Sequence, residues 1–243
     1  MTNDDAKPNV TTSKVADAEG SDKSVLLIEM DDGKANALSA SMIADITAAL
    51  AQATEDETVG AAVLAGRPGR FSAGFDLGVM QSGDMSAIVN LVADGGDLVK
   101  TIYGGGVPVV AACTGHALAA GALMLLGSDV RVGASGPFKI GLNEVAIGMT
   151  LPEWAHTIAG ERLATQHIQR AIANARLTEA PEAADVGFLD RVVEPEQVME
   201  TAIAEAVALT ALDAGAYRRT MAGFRKPTLE RMAEQIAADR AAV

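Results

Sequence analysis

Short, almost uninterrupted apolar segments alternate with stretches of helical spacing along this chain, and this order constrains the fold more than any other feature. The apolar segments are residues 25–30, 60–66, 107–113 and 129–133. Strands that are apolar on both faces are typical of a sheet covered on both sides, and strand–helix–strand order favours parallel neighbours. We therefore predict an α/β fold.

Two helical regions can be placed from their patterns. Ser39 is a suitable N-cap for a helix through about residue 53, with Met42, Ile46 and Leu50 at helical spacing. From Pro195 onward the chain is alanine-rich and amphipathic, so we predict that it is helical throughout. Such a tail either folds back over the core or packs against a neighbouring subunit.

The composition limits which side chains can form the core and which partners the chain can bind. Hydrophobic residues make up 49% of the chain but aromatic residues only 3%, which favours a core of closely packed small residues. The net charge of −13 disfavours nucleic acid and anionic membranes as partners. The single cysteine, Cys113, lies in an apolar strand, so it forms no internal disulfide and is interpreted as inert core filler.

We expect the chain to form one domain, with a polar N-terminal segment and a helical C-terminal region. Residues 1–23 lack apolar periodicity and are predicted to be a flexible acidic arm outside the fold. Residues 24–195 would form the core, and residues 196–243 a helical region for trimerisation or for covering the site. There is no hydrophobic stretch of signal-peptide or membrane-spanning type in the sequence, so a cytoplasmic protein is expected.

Two glycine-containing turns precede predicted helices and would expose backbone N–H groups. One is residues 71–77, where Gly74 relaxes the turn, and the other is residues 115–123. Each has an ordinary interpretation, a capped helix entry or a close helix contact. Together they could supply one N–H each to a single carbonyl oxygen, which stabilises negative charge developing there.

Glu144 is the most conspicuous acid, because it lies in the apolar stretch 141–148 beside Asn143. An unpaired carboxylate in such surroundings has a raised pKa, which suits a general base near neutral pH. The alternative is a buried glutamate bound to a backbone N–H.

Other chemistries have no support in the sequence. His116, His156 and His167 are too scattered for a short metal motif, and His116 is interpreted as a hydrogen-bonded core histidine. The chain has no phosphate loop, no dinucleotide glycine fingerprint after a strand and no Gly-x-Ser-x-Gly elbow. We expect no metal.

Taken in order, five segments resemble the signature segments of the crotonase (enoyl-CoA hydratase/isomerase) superfamily. They are residues 34–38, 71–77, 108–121, Asp129 and 141–148. The resemblance covers about residues 24–240 and is closest to 3-enoyl-CoA to 2-enoyl-CoA isomerases of the mitochondrial type and to short bacterial enoyl-CoA hydratase-like proteins. It implies a spiral of ββα repeats, a helical C-terminal region, and homotrimers that often pair into hexamers.

The resemblance also implies that the substrate is an acyl-CoA thioester and that no cofactor takes part other than the coenzyme A of this substrate. It further implies roles for individual residues. The catalytic groups would be Glu144 and the backbone N–H groups of Phe75 and Ala120. The substrate-binding residues would be Lys34, Ala35, Ala37, Ala73, Gly74, Asp76, Leu77 and Asn143. Alanine at position 120 replaces a family glycine, which matters little if only its N–H is used.

The carboxylates separate the possible reactions. Hydratases of this family use two glutamates, and the first of these positions is Leu123 here, whereas the second is Glu144. One carboxylate can move a proton from C2 to C4, so the resemblance implies double-bond isomerisation. The alternatives are a hydratase in which Glu153 replaces the missing acid, and an acyl-CoA-binding protein without catalysis. Family labels follow fold more reliably than chemistry.

Overall fold

The computed structural model describes residues 8–17 and 22–242. Its strands are β1 (Val10–Asp17), β2 (Ser24–Met30), β3 (Ala37–Leu38), β4 (Val59–Ala65), β5 (Gly69–Ser72), β6 (Gly74–Phe75), β7 (Val109–Cys113), β8 (Gly115–Leu118), β9 (Val130–Ala134), β10 (Ile140–Gly141) and β11 (Arg191–Val193). Its helices are α1 (Ala40–Glu55), α2 (Leu77–Met80), α3 (Met85–Gly104), α4 (Ala120–Gly127), α5 (Glu153–Arg162), α6 (Ile168–Ile172), α7 (Glu182–Val186), α8 (Val198–Thr210) and α9 (Ala214–Ala241).

The strands form one large sheet and two small ones. The large sheet has the order β1–β2–β4–β7–β9–β11, and only β1 runs antiparallel to its neighbour. A three-stranded sheet has the order β10–β8–β5, and β3 pairs with β6. Along the chain, β4 and β5 precede α3, β7 and β8 precede α4, and β9 and β10 precede α5. The predicted ββα repeats are therefore present, each turn placing one strand in the large sheet and one in the small sheet.

Both faces of the large sheet are buried, as the continuous apolar strands predict. Leu26 and Ile28 of β2 face the main core with α1 and α3, whereas Val25 and Leu27 face a second cluster with α8. Strand positions such as Ala62 are fully buried. Since small strand residues let helices approach the sheet closely, the prediction of a small-residue core is confirmed.

Ser39 caps α1 as predicted, because its Oγ accepts a hydrogen bond of 3.2 Å from the N–H of Met42. The C-terminal region is helical but interrupted, since α8 ends at Thr210 and α9 begins after the N-cap Asp213. The side chain of Asp213 accepts a hydrogen bond from the N–H of Ala216, which fixes the new helix start. The prediction of an unbroken helical region is therefore wrong at residues 211–213.

Both C-terminal helices fold back over the core. Helix α9 packs against α3 and α5, and Arg225 anchors it from a buried position. The Arg225 guanidinium donates to Oδ1 of Asp129 at 2.8 Å and lies 4.4 Å from the ring centroid of Tyr103. Tyr217 also donates to Asp129, at 2.9 Å. Asp129 thus serves the docking of α9, because removing either charge of a buried pair leaves the other uncompensated.

The prediction that residues 1–23 form an arm outside the fold is wrong for Val10–Asp17. These residues form β1, the edge strand beside β2, with Val15 opposite Val25. Their side chains are mostly polar because an edge strand presents one face to water, and its backbone hydrogen bonds do not depend on apolar periodicity. Residues 1–7 and 18–21 of the predicted arm lie outside the described residues.

Candidate active site

The segment that contains the predicted substrate-binding residues Lys34, Ala35 and Ala37 is folded around the carboxylate of Asp32. Its Oδ1 accepts hydrogen bonds from the N–H groups of Lys34 (2.7 Å) and Asn36 (2.9 Å). Its Oδ2 accepts a third from Ala37, at 3.1 Å. A carboxylate that accepts several N–H groups holds its turn firmly. The side chain of Lys34 is left exposed, and Ala35 is half-buried beside it.

Asn36 ties this segment to the strand that leads into the first turn. It is fully buried, its φ is +51°, and its Nδ2 donates to the carbonyl oxygens of Met30 (2.8 Å) and Phe71 (3.2 Å). Its own carbonyl accepts the hydroxyl of Ser72 at 2.7 Å. Asparagine tolerates the left-handed region better than most residues. The position of the turn after Ser72 therefore depends on this buried amide.

The first turn places Phe75 on the two-residue strand β6. The N–H of exposed Ala73 donates to the carbonyl of Ala35 at 3.0 Å, and the N–H of Asp76 donates to that of Leu38 at 3.2 Å. Successive N–H groups of an extended strand point to opposite sides. Ala73 lies before β6, so the alternation is counted from Asp76, and it places the N–H of Phe75 on the side away from β3.

The first turn ends in a short helix. Oδ1 of Asp76 accepts the N–H of Gly78 at 2.7 Å and so caps α2, which confirms the ordinary interpretation of this residue. Leu77 begins α2, and 58% of its surface is exposed. The helix entry thus leaves an apolar side chain in solvent next to the turn.

The second turn ends at the N-terminus of α4. Ala120 is the first residue of this helix, so its N–H has no acceptor within the helix and the positive end of the helix dipole adds to it. Ala119, just before it, has φ +50° and ψ −124°, a conformation that disfavours residues with a Cβ. Leu123 is buried one turn further along α4 and supplies no acid.

The two turns touch each other. Gly74 has φ +87°, and a Cβ built on it would lie 2.9 Å from Cβ of Ala119 and 3.3 Å from the backbone N of Ala120. Only glycine combines this conformation with so close an approach. The structure therefore brings the two predicted N–H donors to neighbouring positions.

The segment that contains Glu144 is joined to the second turn through the small sheet. Strand β10 pairs in parallel with β8, with Gly141 opposite Leu118, and the carbonyl of Gly141 accepts the N–H of Ala119 at 3.0 Å. Glu144 follows three residues after Gly141. This pairing carries its segment alongside the N-terminus of α4.

The carboxyl group of Glu144 is buried, and one of its two oxygens has no hydrogen-bond partner among the described residues. The residue is 8% exposed, and among the described residues its Oε2 has no hydrogen-bond partner. Burial raises the pKa of Glu144 to about 7, while a hydrogen bond with its own backbone opposes this slightly. An acid of this kind is half-ionised near neutral pH, as the sequence analysis predicts for a base.

The surroundings of Glu144 contain further unused groups. Oδ1 of Asn143 is also buried with no partner among the described residues. Val145 and Ile147 follow in a 3₁₀ turn and are 48% and 53% exposed. A polar pair beside exposed apolar side chains is typical of a site that takes a partly apolar ligand.

Glu153 lies elsewhere, at the start of α5. It is exposed, its Oε2 accepts a hydrogen bond of 3.5 Å from Gln235 of α9, and its charge helps to raise the pKa of Asp239, which burial raises more. With His156 it lines a groove between α5 and α9. No contact between Glu153 and Glu144 occurs among the described residues.

The remaining chemical groups have structural explanations. Nδ1 of His116 accepts the N–H of Lys139 at 2.9 Å, and its ring meets Phe138 edge-on, which confirms a hydrogen-bonded histidine. The residue is only half-buried, so the prediction that it belongs to the core is wrong. Cys113 is fully buried, and burial raises its pKa to about 12, as expected for an inert thiol. Within residues 8–17 and 22–242 there is no cluster of metal-ligating side chains, and no helix there is long and apolar enough to cross a membrane.

The structural roles of several residues at the site were not predicted from the sequence. Asn36 falls in the recognised segment 34–38 and Asp32 lies just before it, but their hydrogen bonds follow from the folded backbone. The signal available was a polar pair between apolar segments, where polar side chains need partners. Ala119 carried no signal, because alanine has no preference for positive φ.

Known proteins resemble this chain in sequence and in fold. Residues 20–243 match the protein family described as enoyl-CoA hydratase/isomerase. The chain belongs to that family. It is 30% identical over 217 residues to the mitochondrial enoyl-CoA delta isomerase 1 of Homo sapiens, covering 88% of this chain and 72% of the relative. It is 32% identical to the probable enoyl-CoA hydratase of Rhizobium meliloti, covering 70% of this chain and 65% of the relative.

A solved structure agrees over nearly the whole length. The apo enoyl-CoA isomerase of Mycobacterium tuberculosis has a TM-score of 0.88 and 33% identity, and covers 97% of this chain and 99% of its own. The crotonase fold and membership of an enzyme family are therefore confirmed. Since isomerases and hydratases both occur among these relatives, the reaction must be argued from the site.

Proposed function

We propose that this enzyme shifts the double bond of a 3-enoyl-CoA to give a 2-enoyl-CoA, in fatty-acid metabolism. The observation that carries the proposal is one buried carboxylate, Glu144, whose Oε2 has no hydrogen-bond partner among the described residues, with leucine, Leu123, at the position of the first family acid. Isomerisation needs one group that moves a proton. Hydration needs a water held and activated between two acids.

In the proposed mechanism Glu144 removes a proton from C2, next to the thioester carbonyl. The N–H groups of Phe75 and Ala120 donate to the thioester oxygen and stabilise the dienolate, with help from the dipole of α4. Protonated Glu144 then returns the proton to C4, which leaves the double bond conjugated with the carbonyl. A pKa of about 7 lets the same carboxyl accept and donate near neutral pH.

The other predicted residues would hold the substrate. We assign the segment Lys34, Ala35 and Ala37 and the turn residues Ala73, Gly74, Asp76 and Leu77 to coenzyme A and the thioester, and Asn143 to the acyl chain or the base. The exposed side chains of Leu77, Val145 and Ile147 offer apolar surface for an acyl chain or a neighbouring subunit. A homotrimer or hexamer, a cytoplasmic location and the absence of a cofactor other than the coenzyme A of the substrate remain parts of this proposal.

Label transfer tests the mechanism. A 3-enoyl-CoA carrying deuterium at C2 is converted in ordinary water, and the 2-enoyl-CoA product is analysed for deuterium at C4. Since one carboxyl would carry the label between the two carbons, part of the product should retain it. A protein that binds the thioester without losing C2 label would instead be a non-catalytic binder. Glu144→Gln is the control in which transfer stops.

A further inference from the structure

The ring of Phe75 lies against helix α3 at a position that only glycine can fill. A Cβ built on Gly95, buried within α3, would stand 2.3 Å from Cε1 and 2.4 Å from Cζ of this ring. Non-bonded carbon atoms pack at about 3.5–4.0 Å. The ring of Phe75 therefore occupies the space of the side chain that residue 95 lacks.

The adjacent glycine has different neighbours. A Cβ on Gly96 would stand 2.9 Å from Cγ1 of Ile236 and 3.0 Å from Cε2 of Trp154, which belong to α9 and α5. Each glycine inside a helix costs about 1 kcal/mol relative to alanine, so consecutive glycines need a packing reason. Here the reasons differ: Gly96 admits the C-terminal helix, and Gly95 admits Phe75.

The fit of this ring bears on the backbone of its own residue. Phe75 lies on the two-residue strand β6, so we expect a displacement of its ring to be passed to its own backbone N–H. A Cβ at residue 95 would force the ring back by about 1 Å to reach ordinary contact. Groups that act in catalysis must be held to within about 0.5 Å.

We propose that Gly95 is a positioning residue of the oxyanion hole, since the space it leaves for the Phe75 ring fixes where the Phe75 N–H points. The identity of this donor rests on the proposed function. Gly95 itself touches no substrate and acts through Phe75.

The test is a double-mutant cycle of Gly95→Ala and Phe75→Leu. Leucine keeps the backbone N–H but lacks the two ring atoms that meet residue 95. Gly95→Ala should lower kcat for 3-enoyl-CoA about tenfold, part of the 10²–10³-fold typical of a lost donor, with KM changed much less. In a protein that already carries Phe75→Leu, the Gly95→Ala substitution should leave kcat unchanged. If Gly95→Ala alone does not fold, the comparison of Phe75→Leu with the double variant remains decisive.

Acetoacetyl-CoA supplies a readout that a purely structural role would not move. An oxyanion hole favours the enolate of this bound thioester, which is measured by ultraviolet absorbance. Gly95→Ala should lower the bound enolate fraction. Gly96→Ala should lower thermal stability without lowering that fraction, and Gly223→Ala, whose Cβ would meet nothing within 4 Å, should change neither.

The outcomes separate this inference from the proposed function. A wild-type protein that enolises acetoacetyl-CoA but isomerises no enoyl-CoA would overturn the function and leave the enolate cycle as the test of Gly95. An unchanged enolate fraction in Gly95→Ala, or a Gly95→Ala substitution that remains harmful in the Phe75→Leu background, would overturn the inference. Wild-type binding without enolate would overturn both.

Discussion

The two turns that present N–H groups and the segment that presents Glu144 are built in opposite ways. At the turns, buried polar groups are paired: the side chain of Asn36 donates to the carbonyls of Met30 and Phe71, among others, and Ser72 donates to the carbonyl of Asn36. In the Glu144 segment, Asn143 Oδ1 and Glu144 Oε2 are buried without partners among the described residues. In the proposed function the paired turns are a rigid frame for a thioester. The unpaired groups are free for chemistry, at a cost in stability.

This contrast also explains why the family label does not decide the reaction. The frame of N–H donors serves any reaction that forms an enolate of a thioester. The number of acids beside it selects what happens next, and here Leu123 and Glu144 leave one acid. Substitutions confined to one of the two regions test this division of roles.

The largest effect is expected from Glu144→Gln. Loss of the only proton carrier should lower kcat for a 3-enoyl-CoA about 10³-fold, within the range for general acid–base groups. Glu153→Gln is the matched control and should change kcat less than about twofold, because Glu153 is exposed on α5. Equal losses in both variants, measured as initial rates of conjugation, would mean that two acids act together.

The next largest effect is expected at the turns that present the N–H groups. Asn36→Ala removes buried hydrogen bonds to Met30 and Phe71 and should lower the free energy of unfolding by about 3 kcal/mol. The same substitution at Asn143, whose Oδ1 has no partner among the described residues, should cost less than about 1 kcal/mol while altering kcat/KM. Urea unfolding gives both values. Equal losses of stability would erase the contrast between the regions.

A smaller effect follows from the titration of Glu144. Burial raises its pKa from 4.5 to about 7, so the folded protein holds this proton more tightly than the unfolded chain. Wild-type stability is therefore lost as pH rises from about 4.5 to about 7, and the loss is constant above that range. Glu144→Gln escapes it, and its stability relative to wild type should rise by about 2–3 kcal/mol between pH 5 and pH 8.

The readout is the difference between urea unfolding curves of the two proteins at each pH, which cancels the other titrating groups. A difference that stays constant with pH would mean that the folded carboxyl is solvated or paired.

The smallest effect concerns strain in the second turn. Ala119→Gly should raise the free energy of unfolding by about 1 kcal/mol, because glycine relieves a positive φ but loses more entropy on folding. Gly74→Ala is the opposite change and should lower the melting temperature, since its Cβ would press on Ala119. A melting temperature that falls in Ala119→Gly would show that the turn is not strained.

The sequence predicted what periodicity and local motifs determine. The strands of the large sheet other than β1 and β11, the Ser39 cap and the buried state of Glu144 follow from apolar patterns and helix chemistry. Edge strand β1 was missed because its side chains are mostly polar, whereas its backbone pairing with β2 leaves no apolar pattern in the sequence. The break at residues 211–213 was missed because alanine-rich sequence conceals it.

Contacts between distant segments could not be predicted. The approach of Gly74 to Ala119 and of Gly95 to Phe75 depends on how the turns of the spiral stack. Each glycine is ambiguous by itself, because it marks either a special conformation or a close contact. Only the folded chain identifies which atom lies opposite.

The central claim is that one carboxylate suits isomerisation and not hydration. The most direct measurement compares initial rates of wild-type protein with a 3-enoyl-CoA and with a 2-enoyl-CoA of the same chain length. One assay follows formation of the conjugated double bond, and the other follows its loss on hydration. The account predicts conjugation without measurable hydration. Hydration at a comparable rate would contradict it and would mean that another acid or an ordered water replaces the glutamate absent at Leu123.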